Sequence, residues 1–163
     1  MIKISLKEFV LTGEFGPVKV GMHRDEIINL LGEPEADQDF GLGFNGLLYG
    51  WYEFFYYTDT KILSSIQNDH LMAVFSNHNE CIHFQNENIK VDIWFLKAGE
   101  NFTYSEVKEI LTKENIPFSK IDKQDYFEFH FESGVTMDFV SLDDEVKRDQ
   151  YVLNGIRYFP ELR

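Results

Sequence analysis

Cysteine is almost absent: Cys81 is the only one in 163 residues. No internal disulfide can form, which excludes a small secreted fold framed by disulfides. Proline is scarce, with four in all, and no linker rich in Gly, Ser and Pro divides the chain, so 1–163 reads as one domain. Long apolar runs are missing too. The opening residues Met1-Ile2-Lys3-Ile4-Ser5-Leu6-Lys7-Glu8 are interrupted by charge and resemble neither a signal peptide nor a membrane span, so a cytoplasmic location and no membrane partner are expected. Basic residues are few, 15 against 28 acidic ones, for a formal net charge of -13. That charge repels phosphate backbones at long range and argues against a nucleic-acid partner.

The usual signatures of catalysis are missing as well. The segment Gly41-Leu42-Gly43-Phe44-Asn45-Gly46 has neither the spacing of a dinucleotide fingerprint nor the Lys-Ser/Thr of a P-loop. It reads as an irregular loop continuing from Glu33-Pro34-Glu35-Ala36-Asp37-Gln38-Asp39. These alternate carboxylates lack the remainder of a calcium loop. His78, Cys81 and His83 are close in sequence, but no fourth zinc ligand is evident. Glu53 and Glu128 are the symmetric candidates for a glycosidase pair, yet strand alternation makes both of them outward charges. Nothing local poises a histidine against Cys81. No catalytic residue, metal or cofactor is predicted, and the chain is not expected to be an enzyme.

What the sequence does hold is core material and localised charge. Hydrophobic residues make up 44% and aromatic residues 16%, ample for a single core. From Asp25 to Ile89, eleven carboxylates face a single basic residue, Lys61, so this stretch carries -10 of the -13 and could steer a basic partner. Two short helices are predicted. Ile27, Leu30 and Leu31 form an apolar stripe closed by Gly32 and Pro34; Val107, Ile110 and Leu111 form another, opened by the capping-box pattern Thr103-Tyr104-Ser105-Glu106 and closed near Asn115 and Pro117.

Each helix is followed by an aromatic strand, Trp51 to Tyr57 and Tyr126 to Glu132, and by a further strand, Lys61 to Ile66 and Val135 to Val140. Leu71 to Phe75 and Glu80 to Phe84 read as a hairpin, and Lys90 to Leu96 as one more strand. Side-chain alternation puts Tyr52, Phe54, Tyr56, Phe127, Phe129 and Phe131 in the core and leaves Trp51, Glu53, Phe55 and Tyr57 on the other face. The expected fold is α+β: an antiparallel sheet with two short helices on one face, built from two degenerate helix-strand-strand units at 17–70 and 89–141.

The pattern Gly21-Met22-x-x-x-Glu26-Ile27-x-x-Leu30-Leu31-Gly32-Glu33-Pro34, followed by Tyr49-Gly50-Trp51-Tyr52-Glu53-Phe54, resembles small bacterial immunity proteins, the antidotes of polymorphic and contact-dependent growth-inhibition toxins. It is also similar to repeats of β-lactamase inhibitor proteins and of small outer-membrane assembly lipoproteins, although no export signal or lipid-attachment cysteine is seen here. The second copy departs from the pattern, with Asn115-Ile116-Pro117 at its exit. The resemblance implies a scaffold that neutralises a cognate toxin domain, one that is basic and of nuclease type, and a monomer is expected.

Glu33, Glu35, Asp37, Asp39, Trp51, Glu53, Phe55, Tyr57, Asp59 and Asp69 are the expected partner-binding residues. The alternative is a small hydrolase or ligand-binding protein with a pocket near the Gly41 to Gly50 loop, and a homodimer through the aromatic face is a third reading.

Overall fold

The computed structural model describes residues 1–74, 76–143 and 145–160. In chain order the elements are β1 (Ile2–Ser5), α1 (Leu6–Thr12), α2 (Arg24–Leu31), β2 (Ala36–Gly41), β3 (Phe44–Tyr49), β4 (Tyr52–Tyr57), β5 (Leu63–Asn68), α3 (His78–Ile82), β6 (Ile89–Asp92), α4 (Tyr104–Lys113), β7 (Ser119–Asp122), β8 (Phe127–His130), β9 (Thr136–Val140), a 3-10 turn at Arg148–Gln150, and β10 (Val152–Tyr158). The fold is α+β, as the alternating helical and strand periodicities require. Eight strands form one antiparallel sheet in the order β2-β3-β4-β5-β10-β9-β8-β7, and β1 pairs with β6 in a small parallel sheet.

The strand order is a palindrome. A helix and a four-strand meander (α2, β2 to β5) occupy one half; a second helix and meander (α4, β7 to β10) occupy the other, and the last strands of the two pair at the centre, Gln67 opposite Arg157. Each unit thus has four strands after its helix, where two were expected. The aromatic strands are not topological equivalents either: β4 is third in its meander and β8 second in its own, so the counterpart of β4 is β9.

Both meander-leading helices start and stop as their end residues dictate. In α4 the Thr103 hydroxyl accepts from the Glu106 amide while the Glu106 carboxylate accepts from the Thr103 amide, and Asn115 takes a left-handed conformation (φ 58°) so that the Ile116 amide reaches the Leu111 carbonyl at 2.9 Å. In α2 the His23 ring accepts from the Asp25 amide, and Gly32 (φ 92°) turns the chain out. Ile27 with Leu31 and Val107 with Leu111 are the buried pairs; Leu30 and Ile110 sit half-buried at their margins.

One continuous cluster of buried residues spans both halves. It contains all six aromatic residues expected in the core, from Tyr52, Phe54 and Tyr56 to Phe127, Phe129 and Phe131. The helices close this face of the sheet. Tyr104 of α4 lies against Phe127, Phe129 and Phe139, with ring centroids 4.8–6.0 Å apart, and Phe9 of α1 reaches Phe15, which contacts Tyr52 and Phe54. A salt bridge between Lys7 and Glu114, 2.7 Å long and reinforced by the Trp94 indole N–H, ties α1 to the end of α4.

Three expectations fail for stated reasons. The stretch from Glu33 to Gly46 is not a loop: Ala36–Gly41 and Phe44–Tyr49 form a hairpin whose tight turn uses positive φ at Gly41, Leu42 and Gly43, and the exposed charges of β2 suit a sheet edge rather than an irregular segment. The expected hairpin from Leu71 to Phe84 is absent. His78–Ile82 is a short helix with Cys81 and Ile82 buried, Leu71 to Val74 form no strand, and Phe75 lies outside the described residues. The strand expected over Lys90 to Leu96 shortens to Ile89–Asp92 and leaves the large sheet to pair with β1. No helix among the described residues is long and apolar enough to cross a membrane.

Candidate functional site

Among the described residues no helix packs over the middle of the second face of the eight-stranded sheet, and only the segment around α3 stands beside its β4 end. By strand alternation and register this face carries Gln38 and Phe40 of β2, Phe44 and Leu48 of β3, Glu53, Phe55 and Tyr57 of β4, Ser65 and Gln67 of β5, Arg157 of β10, Thr136 and Asp138 of β9, and Glu128 and His130 of β8. Of the apolar side chains on this side, Phe40, Leu42 at the hairpin tip (99% exposed), Trp51, Ile121, Tyr126 and Phe159 are open to solvent, while Phe44, Leu48, Phe55 and Tyr57 are half-buried. Phe40, Leu42 and Phe159 gather around one shallow concavity, and Tyr126 and Phe159 around another.

Two glycines shape this face. A Cβ on Gly46 would stand 2.5 Å from the Phe40 ring, which lies across the backbone there and meets Phe55 edge-on at 5.5 Å. A Cβ on Gly155 would stand 2.6 Å from Asp138 Oδ1. That space lets Asp138 accept from Arg157 Nε at 2.9 Å and from Asn154 at 3.0 Å, and Arg157 in turn donates to Gln67 at 2.8 Å. Gln67 donates on to Glu53 at 3.1 Å. A polar chain therefore runs across four strands, flanked by two shallow concavities of about 490 and 350 Å³ that share Phe159 as a wall. Glu53, Asp69, Glu128 and Asp138 oppose only one guanidinium on this face, that of Arg157, so the surface is negative. Glu128 is also 3.8 Å from Lys123 at the rim.

At the β4 end a larger cavity of about 720 Å³ opens between the sheet and the segment around α3, lined by Glu35, Leu48, Trp51, Glu53, His70 and Phe84 among others. Trp51 packs against His70, with ring centroids 4.1 Å apart and planes tilted by 40°. Asp69 Oδ1 and His70 Nδ1 stand 2.7 Å apart, yet their geometry makes no hydrogen bond; both atoms are buried and neither has another partner. Burial holds the Glu53 carboxyl above the usual glutamate range against the opposing amide of Gln67, and the charge of Asp69 adds to the rise.

The ten residues expected to bind a partner are thus divided. Trp51, Glu53, Phe55, Tyr57 and Asp69 share the open face, with Glu35 at its rim. Asp37 points to the helical side, where it accepts from Arg24 at 2.8 and 3.0 Å and from the Tyr56 hydroxyl at 2.6 Å. Burial opposes its ionisation, but those bonds outweigh it and keep the carboxyl below the ordinary aspartate range. Asp39 accepts from the Gly41 amide and Asp59 from the Thr60 amide, each serving its own turn, and Glu33 is an exposed charge just past α2.

The acidic stretch from Asp25 to Ile89 is therefore not one coherent surface. Missed entirely were Phe40, His70, Asp138, Arg157 and Phe159. The alternation of β10 marks Arg157 and Phe159 as one-sided, but only the central pairing of β10 with β5 brings them beside β4.

The chemical candidates resolve by geometry. Glu53 and Glu128 lie four strand spacings apart, roughly 19 Å, far beyond the 5–9.5 Å of paired glycosidase carboxyls. His78 is fully engaged, with Nε2 donating to the Leu71 carbonyl and Nδ1 accepting from the Gly99 amide. Burial pushes the Cys81 thiol up, away from the thiolate a nucleophile needs.

Fold and site together describe an α+β scaffold of two helix-plus-meander units with one open, negative, aromatic sheet face. No family model matches the chain, and no curated protein or solved structure is similar to it.

Proposed function

We propose that this chain is a cytoplasmic immunity protein that binds and neutralises a basic toxin domain, and that the open face of the sheet is its docking surface. One observation carries the reading: among the described residues no helix packs over the middle of one face of the eight-stranded sheet, and that surface combines exposed aromatics with an excess of carboxylates. Aromatic anchors supply desolvated contact area, and the negative field speeds and orients the approach of a positive partner. The Phe159 concavities and the Trp51 cavity give a convex partner places to insert side chains. The polar chain from Asp138 to Glu53 is fixed beforehand, so little ordering is needed on docking.

The direct test starts from what the reading frame immediately upstream encodes: a metabolic operon there counts against the reading, and a large secreted protein supplies its basic C-terminal domain as the binding partner. The expected result is a 1:1 complex that co-purifies, restores growth of cells making the toxin domain, and associates more slowly as salt rises. A folded protein that forms no complex with such a domain, or a complex indifferent to both Trp51→Ala and Phe159→Ser, overturns the reading.

The cavity between Trp51 and Phe84 favours a second reading, a small-ligand or hydrolase site reached beside Gly50. Turnover of an ester, phosphoester or glycoside that is lost in Glu53→Gln would establish it.

A further inference from the structure

We infer that Glu53, Asp69 and His70 form a binding site for a divalent transition-metal ion of the zinc class, opening into the 720 Å³ cavity. This inference does not rest on toxin binding. The three side chains each offer a ligand atom, all within 4.8 Å of one another. Carboxylate and imidazole are the donor set such ions take, at about 2.0–2.2 Å, so donors sharing one tetrahedral ion stand roughly 3.3 Å apart. Asp69 and His70 already approach more closely than that, and Glu53 needs to swing in by only about 1–1.5 Å.

A second observation, independent of the clustering, points to a ligand. Asp69 Oδ1 and His70 Nδ1 are inaccessible to solvent and lack hydrogen-bond partners, although buried polar atoms are ordinarily paired because leaving them bare is costly. A cation shared by the two would satisfy both lone pairs at once.

The surroundings suit an ion. Glu53, Asp69 and Asp138 set three carboxylates against the one guanidinium of Arg157, an excess that a divalent cation offsets. Arg157, whose Nη1 is 4.0 Å from Asp69 Oδ2, is already committed to Asp138 and Gln67 and does not reach Oδ1. Trp51 packs against the imidazole and holds the ring's orientation, while Gln67 orients Glu53, the support from outside the ligand set that metal sites require. Three protein ligands with the fourth direction facing a cavity is the arrangement of an ion that keeps an exchangeable position.

The test is titration of zinc ions into the full chain by calorimetry, alongside cobalt titration followed by tryptophan fluorescence. One equivalent should bind, and bound cobalt should quench the emission of Trp51, a response absent from Trp51→Phe. Asp69→Asn and His70→Gln should each weaken zinc binding at least tenfold with far-UV dichroism unchanged. Glu53→Gln supplies a variant whose fold is not in question should either of these fail to fold. Absence of binding at millimolar zinc, or binding unchanged in Glu53→Gln and in whichever of the other two folds, overturns the site. Neither result touches docking of a protein on the remainder of the sheet.

Discussion

Two carboxylates sixteen residues apart in the chain, Asp37 and Glu53, respond to pH in opposite directions. The folded pKa of Asp37 is lowered, so its bonds to Arg24 and Tyr56 contribute stability that is present above the unfolded value of about 3.9 and lost as pH falls through the folded value. Asp37→Asn should cost about 1–2 kcal/mol at pH 7, and chemical denaturation should show the difference vanishing in strong acid. Glu53 has a raised folded pKa, so its contribution is present below the unfolded value of about 4.3 and disappears as pH rises through the folded one. Glu53→Gln should therefore raise the melting temperature at pH 7 and leave it nearly unchanged at pH 3. The glycines give a third residue-scale outcome: Gly155→Ala should cost about 1–3 kcal/mol by driving a methyl into the Asp138 and Arg157 pair, readable as a lowered denaturation midpoint. No sequence pattern distinguishes Asp37 from Glu53, because both stand in acidic, alternating contexts and only their neighbours across the fold differ.

At the scale of elements, short-range chemistry carries most of the information. The α4 capping box was visible in Thr103 and Glu106, and Thr103→Ala should cost about 1 kcal/mol, with the loss appearing in thermal unfolding monitored by far-UV dichroism. The alternation in β4 and β8 identified the buried aromatics correctly because both strands have one wet face. Where alternation is blurred the reading fails. In β2, exposed polar residues on both sides gave no period, since an edge strand over an open face buries little. In α3, five residues are too few for a helical stripe, and Cys81 and Ile82 read as strand because they are apolar and adjacent. Both edges of the sheet carry charges at alternate positions, Asp37 and Asp39 on β2, Lys120 and Asp122 on β7, which discourages pairing with another copy.

For the whole molecule, the open face should set association with a basic partner. Glu35→Lys and Glu128→Lys should slow association with the toxin domain about tenfold at low salt and flatten its salt dependence, whereas Glu33→Lys and Asp59→Lys should have less effect; stopped-flow rates at several ionic strengths separate the two pairs. Trp51→Ala should weaken the complex by about 2 kcal/mol or more without unfolding the chain. The class of fold, the two leading helices, the central aromatic core and the acidity of the chain were settled by composition, periodicity and end residues, because these depend on neighbours within a few positions. Which carboxylates lie on the open face, and that Arg157 and Phe159 stand beside Glu53 and Phe55, were decided only when β10 entered between β5 and β9. Pairing across some ninety residues of chain is fixed by the geometry of the completed sheet and leaves no trace in local sequence.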